Sequence, residues 1–267
     1  MQRVRLAACV LLSSSLLALA CATSPTGRSQ LRLFPDAEMA KMGATAYDQM
    51  KQEMKVSSDA AANAYVKCVA RAVAAEVQGT YAGASWEVTL FEEPTANAFA
   101  LPGAKIGVHT GLLEVARNQS QLATVLGHEV AHVLAEHGNE RVSTQFAAQA
   151  GLGFVDTLSG EPSPMKTQLM GLLGLGVQVG AILPFSRAQE READQLGLDL
   201  MARAGFEPRQ SVRLWRNMAS AGGGQPPEFL STHPSHGTRI QDLEARMPGA
   251  VLLQTGARER GRNPNCS

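Results

Sequence analysis

The sequence has few aromatic residues and no excess of either charge. Of its 267 residues, 5% are aromatic, and 24 Lys and Arg balance 24 Asp and Glu. Nucleic-acid-binding proteins usually carry a basic excess, and platforms that stack bases need aromatic rings. The sequence therefore predicts no nucleic-acid partner. Hydrophobic residues make up 45% of the chain, which excludes wholesale disorder and is typical of a globular protein.

Long apolar runs and closely spaced cysteine pairs are also missing from the sequence. The apolar part of residues 1–20 is short and interrupted by serines, whereas a membrane-spanning helix needs about 20 apolar residues. The apolar stretch at 169–183 is rich in glycine and short as well, so it predicts a buried or interface helix. No Cys-x-x-Cys spacing occurs, which excludes a zinc ribbon.

Residues 1–20 have the pattern of a secretory signal peptide. Two arginines precede a short apolar core, and Ala18-Leu19-Ala20 forms a small-x-small cleavage site. The segment ending at Cys21 also resembles a bacterial lipobox, although Ala18 and Leu19 depart from its usual form. Both interpretations predict cleavage of the bond before Cys21, so we expect an exported, periplasmic protein. The lipobox further predicts that a lipid on Cys21 anchors the protein to the outer membrane. Palmitate incorporation that is lost in Cys21→Ala would separate the lipoprotein from an ordinary exported protein.

The four cysteines fall into two groups. Cleavage of the signal peptide would remove Cys9, and lipidation would use Cys21. Cys68 and Cys266 then remain as a candidate pair in an oxidising compartment. Nothing in the sequence brings these two residues together.

Hydrophobic periodicity and capping residues predict many helices and few strands. A strand is predicted at 86–91, and an extended segment at 99–108 carries a Pro-Gly pair that favours the edge of a sheet. The predicted helices cover 36–56, 58–77, 120–137, 165–182, 187–204, 208–220 and 238–247. This pattern predicts an α+β, mostly helical fold. We expect a tether at 21–35, one domain at 36–250, and a polar tail at 251–267 that is loose unless Cys266 anchors it.

A His-Glu-x-x-His motif at 128–132 carries the first sign of chemistry. On a helix, His128 and His132 lie about 40° apart and one turn apart, so their imidazoles can converge on one Zn²⁺. Glu129 lies about 100° further round and could act as the general base for a metal-activated water. Solvated surface histidines are the alternative, but two imidazoles and a carboxylate among apolar residues would be costly to bury without a partner.

The third zinc ligand must come from elsewhere in the chain. A longer motif with a third histidine would need Gly at 135 and His at 138, whereas the chain has Ala135 and Gly138. His137 lies about 180° round the helix from His128 and is expected to point away. A carboxylate is therefore the remaining choice for the third ligand.

A helix predicted at 187–204 supplies that carboxylate. Glu190 and Asp194 share its apolar face, whereas Glu192 lies on the opposite, solvated side. Glu190 is the predicted third ligand, and Asp194 would orient a ligating histidine through its free ring N–H. A surface charge at the start of a helix is the simpler interpretation of Glu190 taken alone.

His233 stands in a loop just before Pro234, which restricts the backbone there. A histidine held beside a metal could stabilise the oxyanion of a tetrahedral intermediate. It could instead fill the open position on the zinc and hold the enzyme inactive. Taken alone, a plain loop histidine is the commoner case.

Together these segments resemble the HtpX-like zinc metallopeptidases, in particular the exported BepA- and LoiP-like branch. The resemblance covers about 25–247 and is carried by Asn97-Ala98-Phe99-Ala100-Leu101-Pro102-Gly103, the motif at 128–132, Ser186-Arg187 through Asp194, and Thr232-His233-Pro234 with Arg239-Ile240. It implies a zincin-like fold with one Zn²⁺ per chain on His128, His132 and Glu190, and Glu129 as the base. It also implies an oxyanion-side or switch role for His233 and a catalytic or structural role for Arg239.

With that resemblance, the extended segment acquires a role in substrate binding. A peptide could pair along an exposed edge strand that borders the active-site helix, at Asn97, Ala98, Phe99 and Ile106. The expected function is a zinc endopeptidase of the bacterial envelope that acts on unfolded or misfolded envelope polypeptides in quality control. The alternative is a non-catalytic or latent, chaperone-like envelope lipoprotein whose zinc site is plugged by His233.

Overall fold

Helices dominate the computed structural model, which describes residues 21–157, 185–221, 228–233 and 237–266. The helices are α1 Asp36–Glu53, α2 Ala60–Ala74, α3 Leu112–Val115, α4 Gln119–Leu134, α5 His137–Thr157, α6 Arg187–Arg203, α7 Gln210–Ala221, α8 Glu228–Thr232 and α9 Arg239–Glu259. The strands are β1 Cys21–Thr23, β2 Ser29–Leu31, β3 Glu87–Phe91, β4 Ala98–Leu101 and β5 Lys105–His109. The α+β, mostly helical prediction is confirmed. The predicted signal peptide at 1–20 and the predicted helix at 165–182 lie outside the described residues.

The three-stranded sheet has the order β3-β5-β4, with β3 parallel and β4 antiparallel to β5. A turn at Gly103 and Ala104, with φ of 86° and 60°, reverses the chain between β4 and β5. The segment predicted as one extended edge is therefore a hairpin. Its first strand is the edge strand, and its second strand is central and pairs on both sides.

Helix α4 crosses the centre of the core and carries the His-Glu-x-x-His motif. Asn118 caps its start by accepting hydrogen bonds from the N–H groups of Ser120 and Gln121. The helix ends at Leu134, and Glu136, with φ of 52°, turns the chain so that α5 begins at His137. The sequence predicted a single helix at 120–137 and did not predict α5.

Two glycines let α6 pack directly against α4. A Cβ atom on Gly127 would lie 2.7 Å from the carbonyl oxygen of Gly197. A Cβ atom on Gly197 would lie 2.7 Å from the backbone nitrogen of His128. Both distances are too short for real Cβ contacts, so only glycine allows this approach of the two helices. As a result, the start of α6 lies against the motif histidines.

The C-terminal end is helical up to Glu259, whereas the sequence predicted a polar tail that would be loose unless Cys266 anchored it. Helix α9 continues through Pro248 to Glu259, beyond its predicted end at 247. Ala250, Gln254 and Ala257 are buried, and their packing outweighs the helix-breaking effect of the proline. A disulfide between Cys68 and Cys266 then ties the last residues to α2. The candidate pairing of these two cysteines is present in the structure.

The segment predicted as a tether at 21–35 contains an antiparallel hairpin of β1 and β2. Its Gln30 side chain donates a hydrogen bond of 2.6 Å to the carbonyl oxygen of Ala135, just after α4. Sequence periodicity cannot detect strands of three residues that are held by such distant contacts. Among the described residues, no helix is both long enough and apolar enough to cross a membrane.

Candidate active site

The structure brings the three predicted metal ligands to one point. His128 and His132 are one turn apart on α4, and their Nε2 atoms lie 3.1 Å from each other. The carboxylate of Glu190, at the start of α6, lies 3.5 Å from His128 Nε2 and 3.4 Å from His132 Nε2. All three side chains are buried. The helical periodicity of α4 places the two histidines on one face, and the close packing of α4 against α6 brings the carboxylate of Glu190 next to them.

His233 is the fourth member of this group. Its Nδ1 lies 3.0 Å from Glu190 Oε1 and 3.3 Å from His128 Nε2. One donor atom from each of His128, His132, Glu190 and His233 lies within 4.8 Å of the others, so these residues could hold a metal ion. His233 is 4% exposed and is therefore a buried part of the cluster, not a solvated loop histidine.

The chemistry of the cluster fits a divalent cation such as zinc. Three imidazoles and a carboxylate are typical zinc ligands, and two of the nitrogens lie too close together to be explained by apolar packing. Next to them, Glu129 Oε1 is buried and has no hydrogen-bond partner among the described residues. Such an oxygen is costly unless a polar group or water is bound nearby. The residues present therefore suit a cation with a reacting molecule beside it.

Asp194 and Arg239 hold the ligands from behind. Asp194 Oδ1 lies 3.0 Å from His128 Nδ1, which leaves His128 Nε2 to face the other ligands. Arg239 donates from Nε to Asp194 at 2.7 Å and from Nη2 to Glu190 at 2.5 Å. Its guanidinium also stacks over the ring of Trp215, at 4.0 Å from the centroid. Asp194 has the orienting position that the sequence predicted, and Arg239 acts on both carboxylates.

The charges in this cluster shift the pKa values of its members. Burial opposes protonation of His128, but hydrogen bonds to Asp194 and Glu190 outweigh it and raise its pKa to about 9. Burial lowers the pKa of His132 well below its usual value. Burial also opposes ionisation of Glu190, yet hydrogen bonds from three histidines bring its pKa below the usual range. A bound cation competes with protons for the same nitrogen lone pairs, so its affinity is expected to fall with falling pH.

Glu129 lies beside the cluster and against the edge strand. Burial raises the pKa of its carboxyl, while the positive charges of His233 and His128 and a backbone hydrogen bond from Ala100 act in the opposite direction. His233 Nε2 lies 3.5 Å from Glu129 Oε1. A buried carboxyl with a raised pKa next to a candidate metal cluster suits a general base.

The residues predicted to bind substrate are split by the hairpin. Asn97 Oδ1 accepts a hydrogen bond of 2.9 Å from the N–H of Ala98, at the start of edge strand β4. The ring of Phe99 instead packs on the rings of Phe91 and Tyr47, away from the cluster. Ile106 lies on the central strand β5 with its side chain fully buried, so its predicted place on the edge is wrong.

Two predictions about residues behind His132 are wrong. His137 was expected to point away, but its Nδ1 lies 2.9 Å from His132 Nδ1, because α4 ends at Leu134 and the helical extrapolation fails there. Glu192 was expected to be solvated, but it is buried and its Oε2 lies 3.1 Å from His137 Nε2. It is covered by the β1–β2 hairpin, for which the sequence showed no signal.

A pocket adjoins His132 on the side of β4. Its lining includes Leu101, Arg141 and Phe185. The guanidinium of Arg141 lies over the ring of Phe185, at 4.3 Å from the centroid. Burial lowers the pKa of Arg141 to about 10, so the group stays cationic at neutral pH. The pocket thus places a cationic and an aromatic side chain next to the cluster.

Comparison with known proteins decides the family. The profile of Peptidase family M48 matches residues 60–247, which is well over half of the chain. The chain belongs to peptidase family M48. All four residues of the cluster, with Glu129, Asp194 and Arg239, lie inside the matched segment, whereas the β1–β2 hairpin and Cys266 lie outside it.

Relatives of this M48 chain come from both bacteria and mitochondria. It is 38% identical over 169 residues to the mitochondrial metalloendopeptidase OMA1 of Schizosaccharomyces pombe, which covers 62% of this chain and 48% of the relative. It is 30% identical over 244 residues to the human mitochondrial metalloendopeptidase OMA1, which covers 86% of this chain and 46% of the relative. It is 30% identical over 217 residues to the beta-barrel assembly-enhancing protease of Yersinia pestis, covering 79% and 44%. The chain thus spans about half the length of these curated relatives.

Proposed function

We propose that this M48 chain is a zinc-dependent endopeptidase of the bacterial cell envelope, of the exported BepA- and LoiP-like kind. The observation that carries the proposal is the convergence of His128, His132 and Glu190 beside the buried carboxylate of Glu129, whose Oε1 accepts no hydrogen bond from the described residues. A structural cluster would have no need of that carboxylate. Several relatives bear the name of metalloendopeptidase or protease, in agreement with peptide hydrolysis.

His128, His132 and Glu190 would hold the zinc. When bound, the ion supplies Lewis acidity that polarises a carbonyl group and lowers the pKa of water. Glu129 removes a proton from the attacking water and passes it to the leaving amine as the peptide C–N bond breaks. Asp194 keeps the tautomer of His128 that offers Nε2, and Arg239 holds the carboxylates of Asp194 and Glu190 in place.

The edge strand supports binding of extended polypeptides. The backbone carbonyl of Asn97 accepts a hydrogen bond from the N–H of His109. The alternation of an antiparallel pair therefore turns the backbone groups of Ala98 and Ala100 towards the edge of β4 that no described strand pairs with. One of these groups, the N–H of Ala100, reaches Glu129. A substrate strand bound along this edge would thus lie next to the base. Backbone recognition favours unfolded or misfolded proteins, because it needs an extended chain and no particular side chain.

Three observations support the envelope as the site of action. The residues at 1–20 have the composition of a signal peptide, and Cys21 follows the cleavage site as a candidate for lipidation. The Cys68–Cys266 disulfide is favoured by an oxidising compartment. The bacterial relative is named for β-barrel assembly. Mitochondrial relatives show that the family occurs in more than one compartment.

The proposal is tested by metal content together with cleavage of an unfolded substrate. Wild-type protein is expected to bind one zinc per chain and to cleave casein or an unfolded outer-membrane protein. Chelation should abolish cleavage and added zinc should restore it, while His132→Ala should bind no zinc and cleave nothing. Intact substrate after zinc loading, or cleavage that survives chelation, would contradict the proposal.

A second candidate function is a latent, chaperone-like protein whose zinc position is occupied by His233. The specific observation in its favour is that His233 Nδ1 lies within the donor group, 3.3 Å from His128 Nε2. A fourth protein ligand would close the position that a catalytic zinc keeps open for water. In this state the protein could bind unfolded chains along β4 without hydrolysing them.

Replacement of His233 separates the two roles of this residue. If His233 plugs the site, His233→Ala is expected to raise the rate of casein cleavage while the zinc content stays at one per chain. If His233 instead stabilises an oxyanion, the same change lowers kcat by about 10²–10³-fold. Rates measured at saturating casein distinguish the outcomes, and an unchanged rate would exclude both roles.

A further inference from the structure

The two histidines of the motif are supported in different ways. The Nδ1 atom of His128 faces a carboxylate directly, with Asp194 Oδ1 at 3.0 Å. The Nδ1 atom of His132 faces another imidazole, with His137 Nδ1 at 2.9 Å. His137 is fully buried and lies outside the four-residue donor group. It therefore has a place behind a ligand and is not itself a ligand.

His132, His137 and Glu192 form a line of hydrogen-bonded side chains. Hydrogen-bond chemistry allows one arrangement of protons along this line when His132 acts as a ligand. His132 must then keep a lone pair on Nε2, so its ring proton is on Nδ1. That proton is donated to His137 Nδ1, which must accept, so His137 carries its own proton on Nε2. His137 Nε2 in turn donates to Glu192 Oε2 at 3.1 Å. The line runs from a carboxylate through two neutral imidazoles to the metal position.

The β1–β2 hairpin holds the carboxylate at the far end of this line. Arg28 Nε donates to Glu192 Oε2 at 3.0 Å, and Thr26 donates to Glu192 Oε1 from its hydroxyl at 2.7 Å and its backbone N–H at 3.3 Å. The guanidinium of Arg28 also pairs with the carboxylate of Glu140, at 2.5 and 2.6 Å. Glu192 is thus buried and fixed in direction by residues more than a hundred positions earlier in the chain.

We propose that Glu192 and His137 are positioning residues for His132, and that the β1–β2 hairpin supports the metal centre through Glu192. A carboxylate behind a ligating histidine fixes its tautomer and ring orientation and raises its basicity. Here the effect passes through His137, because each hydrogen bond in a buried chain strengthens the next. The inference rests on the proposed zinc site. It goes beyond that site because it gives a supporting role to a hairpin outside the segment that matches the family.

Glu192→Gln, with Glu140→Gln as the matched control, tests the proposal. Both carboxylates accept hydrogen bonds from Arg28, but only Glu192 contacts His137. The dissociation constant for Zn²⁺ is measured in each full-length variant by competition with a chromophoric chelator. Glu192→Gln is expected to weaken zinc binding about 10–100-fold. Glu140→Gln is expected to stay within about twofold of wild type, because it leaves the line to His132 intact.

Two further readouts separate positioning from a general loss of structure. The visible spectrum of the Co²⁺-loaded protein reports ligand geometry, and it should change in Glu192→Gln but not in Glu140→Gln. Thr26→Val, at an exposed position, removes one hydroxyl donor to Glu192. In a double-mutant cycle, this change should weaken zinc binding when Glu192 is present and have no effect when it is combined with Glu192→Gln.

The outcomes distinguish this inference from the proposed function. Wild-type protein that binds no zinc would overturn the metal centre itself. If wild-type protein binds zinc tightly and folded Glu192→Gln has a dissociation constant within twofold of wild type, only the positioning role is overturned. Equal weakening in Glu192→Gln and Glu140→Gln would overturn it as well, since loss of the Arg28 pairing alone would then account for the effect.

Discussion

Replacing Glu129 with Gln is expected to lower kcat for casein hydrolysis by about 10²–10⁴-fold, with the zinc content unchanged. The amide has nearly the shape of the carboxylate but cannot take a proton from water. Burial raises the pKa of this carboxyl, which brings it closer to the working pH of a base. Because Glu129 is outside the four-residue donor group, its replacement removes no predicted ligand.

The matched control is Glu38→Gln, which makes the same chemical change on the exposed face of α1. It should leave kcat, KM and zinc content at wild-type values. Metal content is measured by elemental analysis of the same samples used for kinetics. Equal cleavage by wild type and Glu129→Gln would show that this carboxylate is not the base. The non-catalytic, chaperone-like function would then be favoured.

Replacing Arg239 with Leu is expected to lower the free energy of unfolding of the metal-free protein by about 3–5 kcal/mol. Arg239 is 2% exposed and bonds the carboxylates of both Glu190 and Asp194. Without it, the two buried carboxylates lose a cation that bonds both of them. Breaking a buried pair costs far more than the pair contributes, because the remaining charge stays out of water.

Arg246→Leu is a closely matched control for this change. Arg246 also lies on α9 and also bonds a carboxylate of α6, with Asp199 at 3.0 and 2.6 Å, but its side chain is 40% exposed. Solvent-exposed pairs of this kind contribute about 0–1 kcal/mol. Urea denaturation of both variants after chelation measures the difference. A loss of less than 1 kcal/mol in Arg239→Leu would show that the cluster does not need this cation.

Much of the metal cluster was predictable from short spacings along the chain. His128 and His132 lie four residues apart, as do Glu190 and Asp194, and the geometry of an α-helix places each pair on one face. Apolar neighbours identified which face would be buried. The meeting of the two helices was not predictable from periodicity, because it depends on Gly127 and Gly197, whose side chains are absent so that the helices can touch.

The wrong predictions arise where a local turn or a contact with a distant segment decides the place of a residue. His137 was placed by extending a helix that ends at Leu134. Glu192 was assigned to solvent because no property of its own helix reveals the hairpin that covers it. Ile106 was assigned to an edge because a turn at Gly103 was interpreted as an interruption within one strand.

The sequence alone determined the helical class, the histidine pair and the carboxylates that could join it. These follow from local periodicity, which depends only on the backbone geometry of one helix at a time. Only the tertiary structure decided that His233 and Arg239 complete the cluster, that Cys68 meets Cys266, and that the hairpin reaches His132 through Glu192 and His137. The physical reason is that hydrogen bonds and packing act over a few ångströms in space, whatever the separation along the chain.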